Sequence, residues 1–194
     1  MAGVRQFDAE AVLAKAEDVF RLRGYEATSM LDIASATGVQ RGSLYNTFGD
    51  KEALFLMAFA RFGARFLDTV RGCLTGEDPA AALTRLFDTA IAGMTAGTPP
   101  RGCLSTKTAT QGDVPGPRIR GEVRGFLEQL EEIVRSYLAQ PACAARLALP
   151  SDEAARLIVT MTRGLAVMEC VHADGAVLRA TARSLVTLIA PPRP

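Results

Sequence analysis

Histidine is almost missing from this 194-residue sequence, occurring once, at His172, and the four cysteines Cys73, Cys103, Cys143 and Cys170 stand far apart. With one imidazole, no Ser-His-Asp or Cys-His pair stands at a suggestive spacing for nucleophilic catalysis, and neither an H-E-x-x-H zinc motif nor a glycine loop for a phosphate is present. An enzyme is therefore not expected. No C-x-x-C pair exists, and His172 with its neighbours Glu169, Cys170 and Asp174 does not lie on one helical face. A histidine there suits a helix C-terminus, where the dipole favours it, so neither metal nor cofactor is expected.

Long apolar runs are also lacking. Nothing approaches the stretch of about eighteen apolar residues that a membrane span needs, and no apolar segment follows the first residues as in a signal peptide. A reducing cytoplasm with free thiols is the expectation. Surplus charge is missing too, since 22 Lys and Arg against 21 Asp and Glu leave a net charge of +1. Residues 1–51 hold six basic and seven acidic side chains, so any attraction for a polyanion has to come from placement rather than excess.

What is present is a packed fold's composition, 48% hydrophobic, in a chain long enough for one large core or for a small domain fused to a larger one. Apolar residues recur at intervals of three and four. Val12, Leu13, Ala16, Val19 and Phe20 predict a helix over 8–23, closed by Arg21, Arg23 and Gly24. Ser29 with Asp32 three places on reads as a capping box opening a short second helix. Gly38 breaks the pattern, and Leu44 and Phe48 resume it in a third helix over 40–47. Asp50 caps a fourth, with Leu54, Phe55, Ala58 and Phe62 along one side. Five more are expected near 78–96, 102–112, 118–139, 151–172 and 175–190, separated by Gly and Pro clusters such as Gly112 to Pro117 and Pro141 to Pro150. Pro191 to Pro194 read as a disordered end. The predicted fold class is all-α, about nine helices, with a seam between a small and a large module expected at 71–78 and bridged by helix four.

Ala34, Gly38, Val39 and Leu44 supply what a helix-turn-helix needs: a small residue at the close approach, a flexible turn and apolar anchors. Gln40, Arg41, Ser43, Tyr45, Asn46 and Thr47 are left for the outside. Around them stand Gly24-Tyr25, Thr28-Ser29-Met30, Asp32-Ile33-Ala34, Gly42-Ser43-Leu44-Tyr45, Phe48 and Lys51-Glu52-Ala53-Leu54. This ordered set resembles the TetR/AcrR family of transcriptional regulators over residues 8–62.

The resemblance implies a helix-turn-helix DNA-binding domain at 1–50 and a helical ligand-binding and dimerisation domain at 51–194. By matching positions, Thr28, Tyr45 and Lys51 are expected to hold phosphates, and Gln40, Arg41, Ser43 and Asn46 to face the major groove. The implied partners are a double-stranded DNA operator, a second copy of the chain and a small-molecule effector, with no membrane. The implied function is a ligand-responsive repressor; the alternative, which the near-neutral charge favours, is an all-helical ligand-binding or scaffolding protein that binds no DNA.

Leu157, Met161, Leu165, Met168, Leu178, Leu185 and Leu188 form a stripe that fits either a four-helix interface with a twofold mate or an ordinary core. Phe62, Phe66, Phe87, Ile91, Met94, Cys103, Phe126, Leu130, Tyr137, Met161 and Leu165 are the candidates to wall an effector cavity, with plain core as the other reading. Cys103 is expected at a helix start, with Arg101 and Lys107 as cations to lower its pKa, which makes it either a reactive sensor or a small packing residue.

Overall fold

The computed structural model describes residues 7–110, 116–172 and 174–192, which form ten helices and no strand. In chain order these are α1 (Ala9–Arg23), α2 (Met30–Thr37), α3 (Arg41–Phe48), α4 (Lys51–Cys73), α5 (Pro79–Thr95), α6 (Leu104–Thr110), α7 (Pro117–Leu138), α8 (Pro141–Ala144), α9 (Ser151–His172) and α10 (Gly175–Ile189). The nine expected helices are all present. The tenth, α8, is a single turn inside the segment read as punctuation, because Pro141 starts a turn that the chain then leaves. Most of the Gly112 to Pro117 connection and the last two residues of the Pro191 to Pro194 tail lie outside the described residues.

Local chemistry sets the helix starts. Asp8, Asp50, Asp78 and Asp174 each accept backbone N–H groups of the first turn that follows, satisfying donors that have no intrahelical partner. At α2 the capping box closes both ways: Ser29 Oγ accepts the Asp32 N–H at 3.1 Å, and the Asp32 carboxylate accepts the Ser29 N–H at 2.8 Å. The hydrogen bonds from Ser29 hold Asp32 below the usual carboxylate range. Gly38 then stops α2 at φ +71°, a left-handed conformation that a side chain would resist. Nothing crowds a Cβ there, so the reason for glycine is backbone conformation alone.

Helices α1, α2 and α3 form a small cluster around Ile33, Leu44 and Phe20, all fully buried, and α4 runs from this cluster into the larger helical body. Along α4 lies a row of aromatic rings. Phe55 meets Phe20 edge-on at 5.0 Å and Tyr25 at 4.9 Å; Phe59 follows, then Phe62 and Phe66, with Phe126 of α7 touching the last three. Such pairs stabilise beyond their buried area. Gly63 lets the two helices meet, since a Cβ at that position would stand 3.2 Å from the Phe126 ring.

Within the segment expected as a seam, the chain leaves helix only over 74–78, between α4 and α5. Packing is continuous from α1 through α4 to α7, in one buried cluster.

Truncating Phe55, which is fully buried where α1 and α4 meet, should cost about 3–5 kcal/mol of stability. Urea unfolding of Phe55→Ala should show a lower midpoint with unchanged slope; a loss under about 1 kcal/mol would mean the aromatic row is not what joins the two parts.

Candidate nucleic-acid interface and effector cavity

Helix α3 is pinned by its inner face and free on its outer one. Leu44 is fully buried and Phe48 nearly so, whereas Gln40, Arg41, Tyr45, Asn46 and Thr47 are exposed and Ser43 is half-exposed. Arg41 lies with its guanidinium 5.4 Å over the Tyr45 ring, one helical turn away, and donates to the Tyr45 hydroxyl at 3.4 Å. The predicted outside residues thus share one solvent-facing surface.

Beside them the start of α2 and the start of α4 enclose an open depression of about 400 Å³, bordered by Ser29, Met30, Leu31, Arg41, Tyr45 and Lys51 among others. The Lys51 amine donates to the Tyr25 carbonyl at 3.1 Å and stands 4.2 Å from that ring's centre, so it is fixed at the rim. Thr28 is placed differently from these residues. It borders the depression, but its side chain is buried and its hydroxyl donates to the Gly24 carbonyl at 2.6 Å, because the turn after α1 brings that carbonyl back into reach. Its N–H is also engaged, by Tyr25. Thr28 shapes the turn; the neighbouring Met30 and Leu31, in the first turn of α2, stand at the positively polarised end of that helix and take no side-chain cap.

A second concavity, of about 210 Å³, opens where α1, α4, α5, α9 and the segment before α6 converge. Of the residues proposed for it from sequence, Phe62, Phe66, Met94 and Cys103 line it. The others do not. Phe87, Ile91, Leu130 and Leu165 are buried in the core, and Met161 packs against that core. Phe126 borders a separate recess between α4 and α7, and Tyr137 turns its hydroxyl to the Gly76 carbonyl at 3.1 Å. Apolar helical periodicity does not distinguish a cavity wall from a packed interior, and most of these positions are interior.

Among the lining residues that the sequence reading did not name are all three cationic ones, Arg21, Arg65 and Arg163. The first two look like solvated charges on α1 and α4. Arg163 left a trace, being the one charged residue between Arg156 and Glu169 in an otherwise apolar stretch of α9.

Arg163 also changes the account of Cys103. Its guanidinium lies 3.4 Å from the thiol sulfur and bonds the Ser105 hydroxyl. Burial pushes the Cys103 thiol up, but Arg163 and hydrogen bonds from Ser105 and Thr106 outweigh it, and the net effect is a pKa below the ordinary thiol value. The cations expected there are occupied elsewhere. Lys107 donates to the Arg21 carbonyl at 2.5 Å, closing the end of α1, and Arg101 pairs with Asp18 at 3.6 Å. Cys170 goes the other way, raised first by burial and then by Glu169.

The same region ties the first helix to the body. Arg21 donates to the carbonyls of Gly93 and Gly102 at 3.0 and 3.2 Å. Glu17, 2% exposed, accepts from Arg65 of α4 at 2.5 Å, with Arg61 3.8 Å away. Burial nonetheless raises the Glu17 pKa, so this carboxylate is held at the expense of its hydration.

Fold and surface together define an all-helical protein with an amino-terminal helix-turn-helix and a larger body containing a cavity. The sequence profile described as "Bacterial regulatory proteins, tetR family" matches residues 12–58. That profile places the helix-turn-helix part of the chain, residues 12–58, in the TetR family. It is 30% identical over 136 residues to the HTH-type transcriptional repressor ComR of Escherichia coli, an alignment covering 69% of this chain and 65% of that protein. A cysteine-substituted variant of the TetR family transcriptional regulator CifR, solved with 26bp double-strand operator DNA, superposes with a TM-score of 0.83 at 25% identity, over 97% of this chain and 100% of that one. The reduced form of E. coli NemR shares the fold at TM-score 0.83 and 17% identity, over 95% of this chain and 98% of its own.

With thiol reagents, the labelling rate of Cys103 should rise at a lower pH than that of Cys170, because the Cys103 thiolate forms earlier. Arg163→Gln should move the Cys103 profile upward. Coincident profiles for the two cysteines in the unaltered protein would contradict the assignment.

Proposed function

We propose that this chain is a DNA-binding transcription regulator of the bacterial cytoplasm, a repressor whose two copies set their α3 helices into successive major grooves of one operator. The observation that carries this reading is α3: inner face locked by Leu44 and Phe48, outer face solvent-exposed and polar, at the end of a helix-turn-helix whose family profile matches. Residues 1–50 are the reading head and 51–194 the body. Gln40, Arg41, Ser43 and Asn46 contact base edges; Tyr45, Lys51 and the α2 N-terminus take phosphates and set the register. The CifR structure, solved with operator DNA, supports the docking mode. The near-neutral net charge of +1 favours the alternative of an all-helical ligand-binding or scaffolding protein without DNA affinity.

Pairing is assigned to α9 and α10. Leu157, Val167, Met168 and Val171 lie exposed on one side of α9, Val171 at 70%, and Val177 and Leu188 on α10, Leu188 at 71%. An apolar surface of this kind favours a mate. The stripe anticipated from sequence mixed two faces: Leu165 and Leu178 are buried within the subunit, and Met161 and Leu185 are half-buried against its core. The twofold mate sets the two α3 helices about 34 Å apart, or a multiple of it.

Release follows from the cavity. A small molecule there, or a group added to Cys103, touches Arg21 of α1 and Phe62 and Phe66 of α4, the two helices that enter the reading head. To switch most of the population the effector has to favour the released arrangement by about 5 kcal/mol.

Arg41→Ala should weaken operator binding by about 1–3 kcal/mol and leave random DNA nearly unaffected, whereas Lys51→Ala should weaken both alike. Mobility shifts across a salt series check this, and they also test the alternative, since phosphate contacts weaken steeply with salt. Equal losses on both DNAs for Arg41→Ala would remove it from base readout; no shift on any promoter DNA would favour the second reading.

Val171→Glu combined with Leu188→Glu should yield monomers in light scattering and abolish tight operator binding while leaving the helical content intact. A dimer that survives both charges would move the interface elsewhere.

A further inference from the structure

The cavity between α4, α5 and α9 has a charge that its walls do not balance. Phe62, Phe66 and Met94 make it largely apolar, and three guanidiniums, Arg21, Arg65 and Arg163, face it with no carboxylate in the lining. Only Arg65 is paired, with Glu17. Among the described residues, neither Arg21 nor Arg163 has a carboxylate within 4.0 Å. Arg163 is bonded by Ser105, Thr162 and the Cys103 sulfur, and Arg21 by two backbone carbonyls, while its buried Nε has no partner at all. A guanidinium partly shielded from bulk water and bonded mainly by uncharged acceptors retains a strong attraction for an anion. The space, about 210 Å³, is smaller than the roughly 300–1,000 Å³ that houses drug-sized ligands.

We propose that this cavity binds a small amphiphilic carboxylate, its acid group on Arg163 and Arg21 and its hydrocarbon part against Phe62 and Phe66, and that the carboxylate competes with the Cys103 thiolate for Arg163. The proposal deepens the reading of this cavity as the effector site by naming the ligand class. A monoanion suits the site because the aromatic wall leaves little room for a larger polar group. Occupancy also couples the two inputs: with Arg163 turned to the carboxylate, the thiolate loses its counter-charge and Cys103 becomes harder to ionise and to modify. By linkage, a modified Cys103 weakens carboxylate binding in turn.

Calorimetry on the full chain without DNA tests this, using hexanoate, octanoate, benzoate and phenylacetate, each beside its primary amide of nearly equal shape. The acids should bind roughly tenfold to a hundredfold tighter than the amides, the range that charge-assisted hydrogen bonds supply. Arg163→Gln should erase that preference, and Arg163→Lys should keep part of it, with thermal melting confirming that both variants fold. Saturating acid should shift the thiolate absorbance of Cys103 to higher pH, and the amide should not. Amides that match the acids throughout, a preference that persists in Arg163→Gln, or a thiol profile unmoved by bound acid would each overturn the proposal. Because DNA is absent from these measurements, failure to shift operator DNA would count against the regulator reading alone, and failure of acid preference against the ligand class alone.

Discussion

The row of rings along α4 is the constraint on which the arrangement of this molecule depends. Phe55 sits between Phe20 and Tyr25 of the small helical cluster, and the next turns of the same helix carry Phe59, Phe62 and Phe66 to the cavity. Packed rings of this size do not slide by small increments; their contacts hold in one arrangement or are exchanged for another. A shift of α4 imposed at Phe62 or Phe66 therefore reaches Phe55 as a change of packing rather than as a gradual bend. Helix α4 is thereby packed continuously from the amino-terminal helices to the cavity.

A second connection runs through α1 and is polar. Arg21 reaches across to the Gly93 and Gly102 carbonyls, and Lys107 reaches back to the carbonyl of Arg21 itself. The end of α1 is thus held from the body by side chains whose partners are backbone atoms, which hold position but balance no charge. Ligands that engage Arg21 compete with those bonds directly. The buried Glu17 adds a third strap between α1 and α4, one whose raised pKa shows that it is maintained against the cost of dehydrating a carboxylate.

Electrostatics in this protein work by local placement. A net charge of +1 conceals two cationic places with different surroundings. At the outer surface Arg41 and Lys51 are braced on tyrosine rings, which limits the freedom of both side chains. In the cavity Arg163 and Arg21 are braced on hydroxyls and carbonyls, which hold them in place without balancing their charge. Neither place could have been inferred from the sum.

The sequence by itself determined the elements and the helix-turn-helix. Caps at Ser29 and Asp50, the left-handed turn at Gly38 and the anchors Ile33, Leu44 and Phe48 are local or near-local signals, because caps, turns and helical periodicity act within a few residues. Which face of α3 looks outward followed from the same periodicity. Thr28 was the exception, since whether its hydroxyl faces solvent or the Gly24 carbonyl depends on the path of the turn before it. The cavity was legible only in part. Phe62, Phe66, Met94 and Cys103 were found, yet Phe87, Ile91, Leu130 and Leu165 carry the same apolar signal and are core. Only the tertiary structure decided which apolar face lines a space and which fills one. It also decided which cation meets Cys103, bringing Arg163 from sixty residues away while the nearby Lys107 turns to the end of α1. Sequence proximity sets what a side chain can reach, but its partner is chosen by the helix packed against it, and that packing is a property of the whole chain.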